Sequence, residues 1–341
     1  MAGSPVYAET ERSVRSRGLR LAVFEHGNTG PDPTVLFVHG YPDSHAVWDE
    51  VCAKLGGPGG GAGLPRPFHT VRYDVRGAGA SDAPRHLSGY RLDALADDLF
   101  AVADAVSPDR PVHVVAHDWG SIQAWHAVTD PRAERRIASY TTISGPCLDH
   151  TAHWFRERTR HPTPRGLAQL VKQSTKSWYV YAFHLPFAAP LLWRGWLARN
   201  WGASLRRAEG IEPRPGRHPQ PTLADDAVRG IKLYRANMPR RLTRPEFRYT
   251  KVPVQIIIPT RDRFVSPALS EGLERWAPDL RRHTIECGHW GALTRRSDEV
   301  AELVRAFVTE LEAASVTETQ AGIEAEIDSE IEDVGPVDSG T

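Results

Sequence analysis

The chain has 341 residues, 40% of them hydrophobic, and its 42 Lys+Arg balance 42 Asp+Glu to a formal net charge of zero. That length suits one large α/β domain or two smaller ones, with enough apolar content for a core. No run of about 18 apolar residues marks a membrane span, no basic stripe interleaved with aromatics points to nucleic acid, and Cys52, Cys147 and Cys287 fit neither a disulfide framework nor a zinc spacing.

The opening residues MAGSPVYAETERSVRS lack the apolar stretch of a signal peptide, and the isolated thiols suit a reducing compartment, so the expected location is cytoplasmic. Residues 13–27 read as a short hairpin. PTVLFVHG (33–40) and FHTVRYDVRG (68–77) read as strands, separated by the Gly-rich LGGPGGGAGLP (55–65). That stretch neither follows a strand nor opens a helix, so it reads as a flexible loop and not as a dinucleotide fingerprint. In RLDALADDLFAVADAV, Leu92, Leu95, Leu99, Val102 and Val106 repeat at helical spacing. PVHVVAH (111–117) and ASYTTIS (138–144) are the next strands.

Residues 147–250 contain no strand-like run of comparable strength and are rich in Trp, Arg, Pro and His. An insertion of about a hundred residues is too long for a loop and reads as a helical lid, with PRPGRHPQP (213–221) an exposed connector inside it. VPVQIIIP (252–259) and the weaker RRHTIEC (281–287) resume the strands. SDEVAELVRAFVTELEAA (297–314) is a helix that Ser297 and Asp298 can cap. From about 315 the chain is acidic and lacks aromatics, so disorder is expected there. Strands alternating with helices predict an α/β architecture with a doubly wound, mostly parallel sheet. The division is a core at 1–146 and 251–314, a lid at 147–250 and a tail at 315–341.

In such a sheet, ligands sit beyond the carboxyl ends of the strands. Asp118 follows the strand 111–117, in HDWGS. Asp262 follows 252–259, in TRDRFVSP, and His289 follows 281–287, in CGHWG. Tyr41 follows 33–40, in HGYPDS. The order nucleophile, acid, histidine is that of the α/β-hydrolase triad, with a sharp strand-to-helix turn exposing the nucleophile. That position usually holds Ser, which needs a neighbouring base to lose its proton. A carboxylate, with a reference pKa of about 3.9, is already ionised at neutral pH. It can displace oxygen or halide from an sp³ carbon and leave an ester on the enzyme. His289, oriented by Asp262, is then the expected base for a water that cleaves the ester. The backbone N–H groups of Tyr41 and Trp119 are the expected oxyanion donors. Ser121 lies past the turn and is no substitute.

An epoxide oxygen needs protonation as the ring opens, and tyrosine is a suitable donor. HGYPDS, HDWGS, TRDRFVSP and CGHWG together resemble the epoxide hydrolases of the α/β-hydrolase superfamily. The resemblance covers roughly residues 15–312. HDWGS with the later ISGPCLDH is particularly similar to the hydrolase half of bacterial proteins that fuse an epoxide hydrolase to a short-chain dehydrogenase. It departs from the family pattern at Ala116 and Pro259, where Gly is usual. The resemblance implies that Tyr179, ahead of Phe183 and Pro186, and Tyr234, in IKLYRANM, are the two acid tyrosines. Trp178, Phe183 and Trp290 are expected in the substrate pocket. The reading is an epoxide hydrolase acting on a lipophilic epoxide and water, with no cofactor or metal and with a homodimer possible. The alternatives are a haloalkane dehalogenase with the same Asp nucleophile and a non-catalytic ligand-binding scaffold.

Overall fold

The chain enters through an antiparallel hairpin, β1 (Thr10–Ser16) and β2 (Leu19–His26), turning at Gly18 with φ +78°. The computed structural model describes residues 9–27, 32–56, 68–214 and 218–333, with side chains through 317. Residues 57–65 of the Gly-rich loop, 215–217 of the expected connector and 334–341 of the tail lie outside these residues.

The remaining strands are β3 (Thr34–Val38), β4 (His69–Tyr73), β5 (Val112–His117), β6 (Ile137–Ile143), β7 (Val254–Pro259) and β8 (Leu280–Ile285). Each overlaps a strand run read from the sequence. The spatial order is β1-β2-β4-β3-β5-β6-β7-β8. β2 meets β4 antiparallel, and every pair from β4 to β8 is parallel. β3 and β5 are buried at every position, as strands covered on both faces must be.

Helices α1 (Asp49–Gly56), α2 (Leu92–Val106), α3 (Trp119–Val128), the short α4 (Ala133–Arg136) and α11 (Ser297–Asp333) accompany the sheet. Leu99 and Trp125 of α2 and α3 join one apolar cluster with Leu36 and Val114. Val51 and Leu55 of α1 join Val300 and Val304 of α11 in another, against Phe37 and Val115. Side chains of β3 and β5 therefore alternate between two covered faces. β4 lies on one side of β3 and β5 on the other. Their C-terminal ends frame the topological switch point where a ligand crevice forms.

Between β6 and β7 the chain inserts α5 (Leu148–Arg160), α6 (Pro164–Lys176), α7 (Trp178–His184), α8 (Ala188–Leu192), a π-helical turn (Trp193–Leu197), α9 (Ala198–Glu209) and α10 (Leu223–Thr243). Ala227, Ile231 and Tyr234 of α10 are buried at helical spacing. They pack with Phe183 and Trp193 onto Tyr41, Tyr90 and Trp119 of the core. Asn237 fixes this helix by accepting from Leu92 N at 3.0 Å and donating to Tyr90 O at 2.8 Å.

The C-terminus differs from expectation. α11 does not stop near 314 but continues to Asp333. The segment contains no proline before 336 and is rich in Ala and Glu, both strong helix formers. Its docking ends earlier, because Val300, Val304 and Val308 are buried and residues 313–317 are exposed.

Candidate active site

The turn from β5 into α3 carries Asp118 at φ +51°, ψ −124°. A positive φ is rare for a residue with a side chain and marks stored strain. The surrounding backbone comes very close. A Cβ on Gly120 would lie 2.2 Å from Val38 O, and one on Gly40 would lie 2.5 Å from Asp118 Cβ. The small residues flanking the turn are thus required by the approach of β3 to α3.

Asp118 is buried, and its Oδ1 accepts the Tyr41 N–H at 2.7 Å. The HGYP turn that presents this donor is held by His39. Its Nδ1 donates to Gly40 O at 2.9 Å and its Nε2 accepts from Val75 N at 3.0 Å. Burial lowers the His39 pKa despite the facing Asp74 carboxylate, which suits a neutral ring bonded this way. Trp119 opens α3, so its N–H is among the free donors at a helix start.

The other oxygen of Asp118, Oδ2, lies 3.6 Å from His289 Nε2. On the far side of the ring, Nδ1 donates to Asp262 Oδ2 at 2.9 Å. Asp262 Oδ1 accepts the backbone N–H groups of Phe264 at 2.7 Å and Val265 at 3.0 Å. Burial alone would raise the Asp262 carboxyl, but the His289 charge and hydrogen bond, with those two donors, bring it down to about 2. Burial likewise works against a charged His289, yet Asp262 and Asp118 on either side raise its pKa well above the ordinary value.

Tyr179 on α7 and Tyr234 on α10 stand over this group, with ring centroids 5.9 Å apart. The Tyr234 ring packs edge-on to Trp119 at 4.8 Å and to Tyr41 at 5.4 Å. Burial, reinforced by negative charge at Asp118, raises both phenols, so each remains a hydroxyl donor at neutral pH. Asp118, Tyr179, Tyr234 and Phe264 line two cavities at once, of about 400 Å³ and about 290 Å³. The first extends past Leu148, Phe155 and Met238, the second past Phe183, Trp193 and Trp290. Trp178 also borders the second cavity, but from its mouth, where it is 68% exposed.

All the residues singled out in the sequence therefore converge here, with Trp178 at the rim. Sequence reading missed the supports behind them. Glu209, at the end of α9, accepts His289 N at 3.1 Å and Gly291 N at 3.2 Å. Its signal was Gly288, where a Cβ would meet Glu209 Oε2 at 2.1 Å. Gln173 of α6 donates to Phe264 O at 3.0 Å and accepts from Ser266 N at 2.8 Å, and Lys176 donates to Asp262 O. Glu209→Ala would leave two buried backbone N–H groups without an acceptor, at a cost of roughly 1–3 kcal/mol each. The expected result is a clearly lowered midpoint in thermal unfolding. An unchanged midpoint would show that water replaces the carboxylate without loss.

Among the described residues, no cluster of His, Cys, Asp or Glu is arranged to hold a metal ion. No helix of the described residues is long and apolar enough to cross a membrane.

Comparison with known proteins follows the same lines. "Probable oxidoreductase EphD" of Mycobacterium tuberculosis is 38% identical over 297 residues, covering 85% of this chain and 48% of that protein. The chain thus spans about half the length of that relative. "Epoxide hydrolase A" of the same organism is 34% identical over 142 residues, covering 41% of this chain and 40% of that one. Among solved structures, a mutant epoxide hydrolase from Bacillus megaterium in complex with its diol product superposes with a TM-score of 0.69 at 21% identity. It covers 87% of this chain and 100% of that one. A model of the alpha/beta hydrolase fold family matches residues 33–295, and the chain belongs to that family.

Proposed function

We propose that the protein is an epoxide hydrolase that opens a lipophilic epoxide to a vicinal diol through an ester on Asp118. The observation that carries the reading is the carboxylate at the strained turn, with Oδ1 on the Tyr41 N–H and Oδ2 towards His289. The two oxygens then have different tasks. Oδ2 attacks an epoxide carbon, the ring C–O bond breaks, and the leaving oxygen takes a proton from Tyr179 or Tyr234. Oδ1 becomes the carbonyl oxygen of the ester and already lies where an oxyanion is stabilised.

Ester formation also changes the histidine. Asp118 loses its negative charge, so one of the two carboxylates raising the His289 pKa is gone. The ring, still held by Asp262, becomes a better base at this stage. It removes a proton from water as the water oxygen adds to the ester carbonyl carbon. Collapse expels the diol oxygen, which takes the proton from His289. The new carboxylic acid returns its proton to the phenolate.

Lining by Leu148, Phe155, Met238, Phe183 and Trp193 favours an apolar substrate. In this reading the inserted helices are the lid, and residues 1–146 with 251–314 are the core. The direct test is incubation with a simple aryl epoxide and, separately, with a haloalkane. The proposal expects diol from the first and no halide from the second. Halide release without diol would favour dehalogenation, and ligand binding without turnover would favour a non-catalytic scaffold.

A further inference from the structure

The insertion also carries an exposed apolar surface that reaches beyond the cavity lining. Trp178, Tyr181, Leu185, Phe187, Leu191 and Trp196 are all exposed, Phe187 by 77% and Leu191 by 69%. Single exposed hydrophobic residues are ordinary, but these six and Leu192 within one short segment mark an interaction face. The spacing is helical. Residues 178, 181 and 185 fall on one side of α7 and its exit, and 188, 191, 192 and 196 on one side of α8 and the π turn. Trp178, Leu185 and Leu192 also border the second cavity, so the face surrounds a pocket mouth. Phe187 sits at φ +65°, an uncommon backbone for a phenylalanine, and its ring is nevertheless turned out to solvent.

Charge identifies the occupant. Residues 164–208 contain no Asp or Glu and seven Lys or Arg. Arg165 pairs with Glu271 and Arg206 with Glu212, while Arg194 is 3.8 Å from Asp225. Lys172 of α6 and Arg199 of α9, the helices on either side of the apolar segment, are exposed. A second copy of the chain docking face to face would bring these cations together.

We infer that this face docks on an anionic lipid surface. Tryptophan and tyrosine favour the interfacial zone, aliphatic side chains reach the acyl boundary, and Lys and Arg meet the headgroup phosphates. Docking so oriented turns the pocket mouth towards the lipid. Resting on the hydrolase reading, an epoxide dissolved in that lipid reaches Asp118 without crossing water. The docking itself does not depend on that reading.

The test is co-sedimentation of the full chain with vesicles of pure phosphatidylcholine or of equal parts phosphatidylglycerol and phosphatidylcholine. The unmodified chain is expected to pellet with the mixed vesicles and far less with the neutral ones, and added salt should weaken binding. Phe187→Ser with Trp196→Ser, neither of which lines the pocket, should lower partitioning by about a hundredfold. Lys172→Gln with Arg199→Gln should lower it by about twentyfold on the mixed vesicles alone. Asp118→Asn should pellet like the unmodified chain, which separates docking from catalysis. Unchanged circular dichroism and melting show that the surface variants fold. No pelleting, equal pelleting with neutral vesicles, or insensitivity to both double variants would overturn the inference. So would a dimer in sedimentation velocity that the Phe187 and Trp196 changes dissociate.

Discussion

Replacing His289 with glutamine is expected to stop turnover after one event and trap the substrate on the protein. In the proposed mechanism, ring opening needs the Asp118 oxygen and a tyrosine proton, and neither comes from His289. Ester hydrolysis needs a base on the water, and glutamine cannot serve. Loss of a general base typically removes a factor of about 10²–10⁴, so the ester should accumulate. Mass spectrometry should show a gain of one whole substrate molecule, and peptide mapping should place it on Asp118. Asp118→Ala should gain nothing. Single turnover of the unmodified enzyme in heavy-oxygen water should put label into the Asp118 carboxylate, because the ester breaks at its carbonyl carbon. Label in the first-turnover diol, with no adduct on the His289 variant, would mean that water attacks the epoxide directly and that Asp118 is not the nucleophile.

The second large effect belongs to the tyrosines. Tyr179→Phe and Tyr234→Phe each remove one donor and leave the ring packing in place. Each single change is expected to slow diol formation by roughly ten- to a hundredfold, and the double change by about a thousandfold or more, within the span of general acid catalysis. Both residues line the same two cavities as Asp118, so in the proposed mechanism the double variant leaves the developing alkoxide with neither phenol. Rapid-quench measurement of the covalent ester locates the loss in the first step. Full activity in both single variants would remove these residues from the mechanism.

Much of this arrangement was legible in the sequence because each part imposes a local constraint. The central strands bury both faces, so they appear as continuous or nearly continuous apolar runs such as VLFV and the VVA of VHVVAH. The turn at Asp118 shows itself through Gly120, where the approach of Val38 O and His39 O leaves no room for a Cβ. The insertion is less transparent. Tyr179 and Tyr181 alternate with apolar neighbours in the sequence, and only the helical turn of α7 puts the first over Asp118 and leaves the second 71% exposed. Glu209 and Gln173 were invisible for a related reason. A carboxylate and an amide on polar helices look like solvated surface until the chain folds them against loops some 80 and 90 residues away in sequence. The extension of α11 beyond 314 is less legible, because acidity and a lack of aromatics bear on burial in a core, whereas helix formation there depends on local propensity.

The supports contributed by the insertion have a consequence for how a substrate gets in. α9 holds the histidine loop through Glu209, α6 holds the Asp262 loop through Gln173 and Lys176, and α10 is fastened to the core through Asn237. Swinging these helices away as one door would unseat the histidine and its carboxylate partner together. Any widening of the pocket mouth for a bulky substrate is therefore expected in a smaller element. The stretch from Ala188 to Leu197 is suited to it, since its Trp193 meets Tyr41 of the core edge to face, with ring centroids 6.0 Å apart. Rings can slide and reseat, whereas buried carboxylate and amide contacts would have to be broken. The protein would then breathe at one corner while the residues around Asp118 stay assembled, and the rate of passage would be set by local repacking and not by movement of the whole insertion.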